Sequence, residues 1–141
     1  MDDGLLNATL PDLRPFFGHG GKLILYHGWN DQLIAPRNTI QYLRSVEAAT
    51  GGGESLANSA RLFMAPGMMH CANGDGPNTF DVLGAMEQWV EQKSAPDRII
   101  ASHSTDGKID RTRPLCVYAK VARYVGSGST DDAANFVCTI P

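Results

Sequence analysis

Two short apolar runs, separated by a segment long enough to form a helix, constrain the fold of this chain more than any other feature. The first run is Lys22–His27 (KLILYH), which follows a cluster of glycines. The second is Arg61–Ala65 (RLFMA), which ends at Pro66-Gly67. Continuous apolar runs of this length are typical of strands that are buried on both faces of a parallel sheet. We therefore expect two neighbouring strands of one sheet.

The segments between and after these runs predict helices and a further strand. Pro36 suits a first helical turn, and apolar residues at helical spacing predict a helix over 36–49, before the glycines at 51–53. A weak capping box from Asn78 to Asp81 opens a second helix toward Lys93, and Arg98–His103 predicts a third strand. Alternating strands and helices indicate an α/β fold with right-handed crossovers. We expect a lead-in loop over 1–21, a βαβαβ core over 22–103 and a tail over 104–141.

Composition excludes several classes of partner. A length of 141 residues with 43% hydrophobic content suits one domain, or a piece of one. The net charge of −3 provides no broad basic surface, so nucleic acid and anionic membrane are poor partners. No apolar run approaches the roughly 20 residues that span a bilayer. We expect a soluble chain, and the charge leaves a small neutral or acidic substrate open.

The three cysteines leave two alternatives open. Cys71, Cys116 and Cys138 are an odd number, so in an oxidising compartment at least one lacks a partner within this chain. In the cytosol all three would be reduced thiols. The count alone does not decide between these compartments.

Two residues that follow the predicted strands have the order of a catalytic acid and base. Asp31 comes after the first strand and His70 after the second. Loops at the carboxyl ends of parallel strands face one crevice, and Asp before His is the order of an α/β-hydrolase triad. There the histidine accepts a proton from the nucleophile, and the carboxylate fixes the tautomer of the histidine. The alternative is that Asp31 caps the next helix and His70 is an ordinary loop residue.

The strings around these two residues resemble the tannase and feruloyl esterase family. They are residues 27–36 (HGWNDQLIAP) and 66–71 (PGMMHC). Matching strings occur at 20–27, 76–78, 87–91, 112–116 and 132–138, so the resemblance covers nearly the whole chain. It implies the C-terminal part of an α/β-hydrolase fold, with Asp31 as triad acid and His70 as triad base. It also implies a disulfide between Cys71 and a cysteine beside the nucleophilic serine.

The nucleophile itself is missing from these 141 residues. No serine precedes Asp31, and no G-x-S-x-G elbow occurs. The closest imitation, Ser55 in GESLA, follows a triple glycine instead of a strand and comes after Asp31. The oxyanion-hole loop and the inserted lid of the family are absent as well. We expect the chain alone to be inactive and to need an N-terminal part of the same enzyme as its partner.

The resemblance implies hydrolysis of small aromatic esters, such as gallate or ferulate esters, through an acyl-enzyme. Related family members also cleave a terephthalate monoester. No cofactor is implied, although the resemblance allows a structural calcium in the lid. Three alternatives stay open: a truncated inactive fragment, a docking module, and part of a prolyl-oligopeptidase-type peptidase, which also carries His-Gly-x-x-Asp. The His70-Cys71 pair and the cysteine-bearing tail argue against the peptidase.

Other polar residues carry weaker alternatives. Cys71 could be a thiol nucleophile, but it lacks a separate base, and Asn73–Gly76 is similar to a calcium loop but has a proline at a ligand position. His19 and His103 are expected to be ordinary surface or loop residues. His27 is expected to shape the loop of Asp31 and not to transfer protons. The cysteines lack zinc-ligand spacing.

With Cys71 assigned to an outside partner, the other two cysteines are expected to pair. Cys116 and Cys138 bracket a tail that has little predicted regular structure. A disulfide there would indicate a secreted or periplasmic protein. Half of an α/β sheet also exposes a strand edge and apolar surface, so we expect the chain to self-associate.

Overall fold

The computed structural model describes residues 8–141, which form small sheets packed against helices. The helices are α1 (Arg14–Gly18), α2 (Pro36–Thr50), α3 (Gly53–Ala57) and α4 (Val82–Gln92), with a 3₁₀ turn at Ala133–Asn135. The strands are β1 (Leu23–Gly28), β2 (Ala60–Ala65), β3 (Thr79–Phe80), β4 (Arg98–Thr105), β5 (Lys108–Cys116), β6 (Val121–Tyr124) and β7 (Phe136–Thr139). The chain is therefore an α/β protein with both parallel and antiparallel pairing. Residues 1–7 of the expected lead-in loop lie outside the described residues, and the rest of that loop contains α1.

The parallel strand pair predicted from the two apolar runs is present. β1 and β2 lie in parallel register, from Leu23 opposite Ala60 to Gly28 opposite Ala65, and α2 connects them through α3. Pro36 stands in the first turn of α2, and Gly51 ends it with a φ of 92°. These boundaries agree with the predicted helix because proline and glycine supply its start and stop geometry.

β2 is buried on both faces, as its continuous apolar sequence indicates. Leu62 and Met64 pack with Ile40 of α2. Phe63 and Ala65 point to the opposite face, where they join the largest apolar cluster of the described residues. Because β2 is packed on both faces, its C-terminal end is held in place. The loop that carries His70 starts from that fixed end.

The predicted third parallel strand is wrong. β4 pairs antiparallel with β3 on one side and with β5 on the other, in the order β3-β4-β5, and does not pair with β1 or β2. The reason is a tight turn: Asp106 and Gly107, with φ of 50° and 76°, return the chain directly into β5. Burial in β4 also alternates, with Ile99 and Ala101 buried, whereas a central parallel strand is buried continuously. The expected βαβαβ arrangement therefore holds only as far as its first two strands.

The tail has more regular structure than its sequence predicts. β5 runs to Cys116, and β6 and β7 form an antiparallel pair. The predicted disulfide between Cys116 and Cys138 is confirmed, with the Cα atoms 5.6 Å apart. An isolated bridge from Val117 to Phe63 ties the tail to β2. Within residues 8–141, no helix is long and apolar enough to cross a membrane.

Candidate active site

The candidate site is built where β1 and β2 end side by side. Beyond Gly28 the backbone N–H of Trp29 donates to the carbonyl of Ala65 at 2.9 Å, and that of Asn30 donates to the carbonyl of Met68 at 3.0 Å. The two loops are thus joined through their backbones. A Cβ atom on Gly28 would overlap the carbonyl oxygens of Met68 and Met69, so the approach requires glycine.

The Asp31 carboxylate, whose side chain is only 4% exposed, accepts four hydrogen bonds. Its Oδ1 accepts from the backbone N–H groups of Leu33 at 2.8 Å and Ile34 at 2.9 Å. Its Oδ2 contacts Nδ1 of His70 at 2.8 Å and Nε2 of His27 at 3.0 Å. A carboxylate has about four acceptor positions, so this one is fully used.

The surroundings of Asp31 keep it ionised. Burial by itself would raise the pKa of the carboxyl, but the hydrogen bonds from the Ile34 N–H, His70, the Leu33 N–H and His27 outweigh burial and hold the pKa well below its usual range. The carboxylate is therefore an anion at neutral pH.

His70 has the exposure and geometry of a base that works at a surface. Its side chain is 39% exposed, while its Nδ1 is held by Asp31. Among residues 8–141, no side chain or backbone group forms a hydrogen bond with its Nε2. A cavity of about 150 Å³ lies beside the pair, lined by Tyr26, Met68 and Cys71 among others. The arrangement can take a proton at Nε2 while the carboxylate stabilises the resulting imidazolium.

The loop that carries His70 is folded by backbone contacts. The Met69 N–H donates to the carbonyl of Asn73 at 3.1 Å, and Gly67 and Gly76 approach too closely for side chains. The string Asn73–Gly76 thus forms part of this turn. Among the described residues, no group of three or more His, Cys, Asp and Glu side chains could hold a metal ion.

A second histidine belongs to the site. Nδ1 of His27 lies 2.6 Å from the hydroxyl oxygen of Thr39, and its Nε2 lies 3.0 Å from Asp31 and 3.2 Å from the carbonyl oxygen of Ile34. From the sequence we predict that His27 shapes the loop of Asp31. The contact between His27 and Thr39 could not be predicted, because it depends on how α2 docks against β1.

The other candidates do not join the pair. Cys71 is exposed, has a φ of 62° and forms no disulfide within the described residues. Ser55 lies in α3, which precedes β2 and so stands at the opposite end of the strand from His70. His103 forms a separate pair with Asp110 at 2.6 Å on the β4–β5 hairpin. Cys116 lines a larger cavity of about 680 Å³ between the tail and the loops that follow β1 and β2, where Trp29 and Gly67 also line it.

Known ester hydrolases are similar to this chain in sequence and in structure. A family model described as "Tannase and feruloyl esterase" matches residues 3–139. Mono(2-hydroxyethyl) terephthalate hydrolase from Piscinibacter sakaiensis is 45% identical over 137 residues, which are 95% of this chain and 22% of the relative. An esterase from Aspergillus oryzae superposes with a TM-score of 0.84 at 33% identity, over 92% of this chain and 29% of that one. Feruloyl esterase B from the same organism gives 0.82 at 35% identity, with the same coverage. The chain thus spans less than a third of the length of these relatives.

Proposed function

The chain belongs to the tannase and feruloyl esterase family, and from this premise we propose that it supplies the acid and base of a serine ester hydrolase. Asp31 is the acid and His70 the base. The observation that carries the proposal is the 2.8 Å contact between Nδ1 of His70 and Oδ2 of the buried Asp31. This contact lies at the carboxyl ends of two parallel strands, where α/β enzymes place their chemistry.

The proposed mechanism follows from that contact. Nε2 of His70 takes the proton of a serine hydroxyl as its oxygen attacks the ester carbonyl, and then gives the proton to the leaving alcohol. Water hydrolyses the acyl-enzyme by the same two proton transfers. Asp31 stays ionised, holds the tautomer with hydrogen on Nδ1 and stabilises the imidazolium. All proton transfers use protein side chains; a calcium ion, which the family resemblance allows, would belong to the lid.

The nucleophile and the oxyanion hole come from polypeptide outside these 141 residues. No G-x-S-x-G elbow occurs in the sequence, and Ser55 lies at the wrong end of β2. Cys71 is exposed beside His70 and suits a disulfide to the segment that carries the serine. On this proposal the chain alone is inactive, as a truncated fragment or a docking module would also be.

The proposed substrates are small esters of aromatic acids. The relatives support this class, because one is named as a hydrolase of a terephthalate monoester and another as a feruloyl esterase. Both acids have a carboxyl group on or conjugated to a benzene ring. The family match also disfavours a prolyl-oligopeptidase-type peptidase. The Cys116–Cys138 disulfide supports a secreted or periplasmic protein, since structural disulfides persist in oxidising compartments.

A chimera tests the proposal. The matching 137-residue segment of the Piscinibacter sakaiensis hydrolase is replaced with this chain, and hydrolysis of mono(2-hydroxyethyl) terephthalate and methyl ferulate is measured. We expect activity in the chimera and none in residues 1–141 alone. His70→Ala and Asp31→Asn should each lower turnover by at least about 10⁴-fold.

The control is His103→Ala, which removes a histidine of similar geometry from the exposed pair with Asp110 and should leave turnover unchanged. A chimera that keeps near-normal turnover with His70→Ala would contradict the proposal. Hydrolysis by the isolated chain, abolished by His70→Ala, would contradict the outside nucleophile.

A further inference from the structure

Two imidazoles share one oxygen of the Asp31 carboxylate. His70 reaches Oδ2 at 2.8 Å and His27 reaches the same atom at 3.0 Å. The two rings differ in their surroundings: the side chain of His27 is 11% exposed, and that of His70 is 39% exposed. A triad needs only one histidine on its carboxylate, so the second ring requires its own explanation.

His27 has no nitrogen available for proton transfer to a substrate. Its Nε2 faces two acceptors, Oδ2 of Asp31 and the carbonyl oxygen of Ile34, and therefore carries the hydrogen. In the neutral ring Nδ1 is then an acceptor, and the hydroxyl of Thr39 donates to it at 2.6 Å. Both nitrogens are engaged by protein atoms, which fixes the tautomer and the orientation of the ring.

We infer that His27, held by Thr39, is a positioning residue that locks the rotation of the Asp31 carboxylate and so determines the tautomer of His70. The backbone N–H groups of Leu33 and Ile34 hold Oδ1. Of the two side chains that hold Oδ2, His27 is the less exposed one. The consequence for catalysis rests on the proposed function, whereas the effect on His70 does not.

The link through Thr39 gives this lock a rigid anchor. Thr39 lies near the start of α2, directly before Ile40, which packs against Leu62 and Met64 of β2. The chain of contacts from Thr39 to His27, Asp31 and His70 therefore runs from a packed helix to a loop side chain. Residues held in this way keep catalytic groups within a fraction of an ångström of their working geometry.

The tautomer of His70 in the 141-residue chain tests the inference without any need for activity. Long-range ¹H–¹⁵N spectra of the ¹⁵N-labelled chain at about pH 8, where ordinary imidazoles are neutral, report which ring nitrogen carries the hydrogen. We expect the Nδ1–H form for His70 in the parent chain. His27→Leu should remove that form as the dominant species and leave the Nε2–H form.

A conservative variant and a matched control separate positioning from mere packing. His27→Gln places an amide N–H near the position of Nε2 and should restore the Nδ1–H form of His70. His103→Leu, which breaks the exposed pair with Asp110, should leave the His70 signals unchanged. Thr39→Val removes the anchoring hydroxyl in a nearly isosteric side chain, and we expect a measurable mixture of the two forms.

Retention of the Nδ1–H form in a folded His27→Leu chain would overturn the inference. If His27→Leu does not fold, the Thr39→Val spectrum decides, and an unchanged His70 tautomer there overturns it. In the active chimera, His27→Leu should lower kcat with little change in KM, and His27→Gln should recover kcat. If the chimera has no activity at all, the proposed function fails, while the tautomer still decides the role of His27.

Discussion

At the scale of single residues, the site depends on a buried charge whose every acceptor position is used. Asp31 accepts from two backbone N–H groups and two imidazoles. A buried carboxylate without such partners would be protonated instead. Because folding lowers the pKa of Asp31, its contribution to stability is complete above the ordinary value, near 3.9, and is lost as the pH falls toward the folded value.

The cysteines give a residue-scale prediction. Cys116 and Cys138 are bonded, whereas Cys71 is exposed and forms no disulfide within residues 8–141. In non-reduced chain produced under oxidising conditions, an alkylating reagent should therefore label Cys71 alone, which mass spectrometry of the peptides would identify. Reduction before alkylation is the control and should label all three. Labels on Cys116 and Cys138 without reduction would refute the pairing and the compartment inferred from it.

The pairing of Asp31 with His70 could be predicted from the sequence, whereas the contact between His27 and Thr39 that supports it could not. Both residues follow short apolar runs that pair as parallel strands, and the carboxyl ends of parallel strands meet at one edge of the sheet. The contact with Thr39 spans 12 residues and depends on the docking of α2. Side-chain contacts between a helix and a strand end have no local sequence signal.

At the scale of elements, predictions succeeded where one local pattern decides the structure. β1, α2 and β2 agree with their apolar runs and their proline and glycine boundaries, and α4 begins where Asp81 accepts from the N–H of Gly84 at 2.8 Å. The predicted first residue of that capping box, Asn78, lies instead before the short strand β3. β4 was correctly predicted as a strand and given the wrong partner, because an apolar run does not specify which neighbour it pairs with.

The contact between the two loops gives an element-scale prediction. Gly28→Ala places a methyl group against the carbonyl oxygens of Met68 and Met69. The loops of Asp31 and His70 must then separate, which should lower the free energy of unfolding by about 1–3 kcal/mol. Urea unfolding of the 141-residue chain measures the loss.

The matched control is Gly53→Ala in α3, where an added Cβ meets nothing within 4 Å. This change should raise the free energy of unfolding by at most about 1 kcal/mol, since alanine is the better helix former. Equal stabilities for Gly28→Ala and the parent chain would show that the loops are not held by this close approach.

At the scale of the whole molecule, the parallel pair is incomplete. β2 has β1 on one side and the bridge to Val117 on the other, while the second edge of β1 has no strand beside it among residues 8–141. Large apolar side chains lie exposed in β1 and in the loop that follows: Tyr26, Trp29, Leu33 and Ile34. An unpaired edge next to exposed apolar groups favours association with other polypeptide.

We therefore expect residues 1–141 to self-associate and to bind a hydrophobic dye, as size-exclusion chromatography with light scattering and dye fluorescence would show. Leu33→Glu puts a charge into the apolar group beside β1, where Leu33 is 69% exposed, and should shift the chain toward monomer. Ile109→Glu changes a residue of similar exposure, 66%, on the β4–β5 hairpin, which belongs to a different sheet from β1, and should leave the association unchanged. Equal effects of the two variants would place the association elsewhere than at β1. A parent chain that elutes as a compact monomer without dye binding would show that this edge needs no partner, and would remove the physical argument that outside polypeptide completes the sheet.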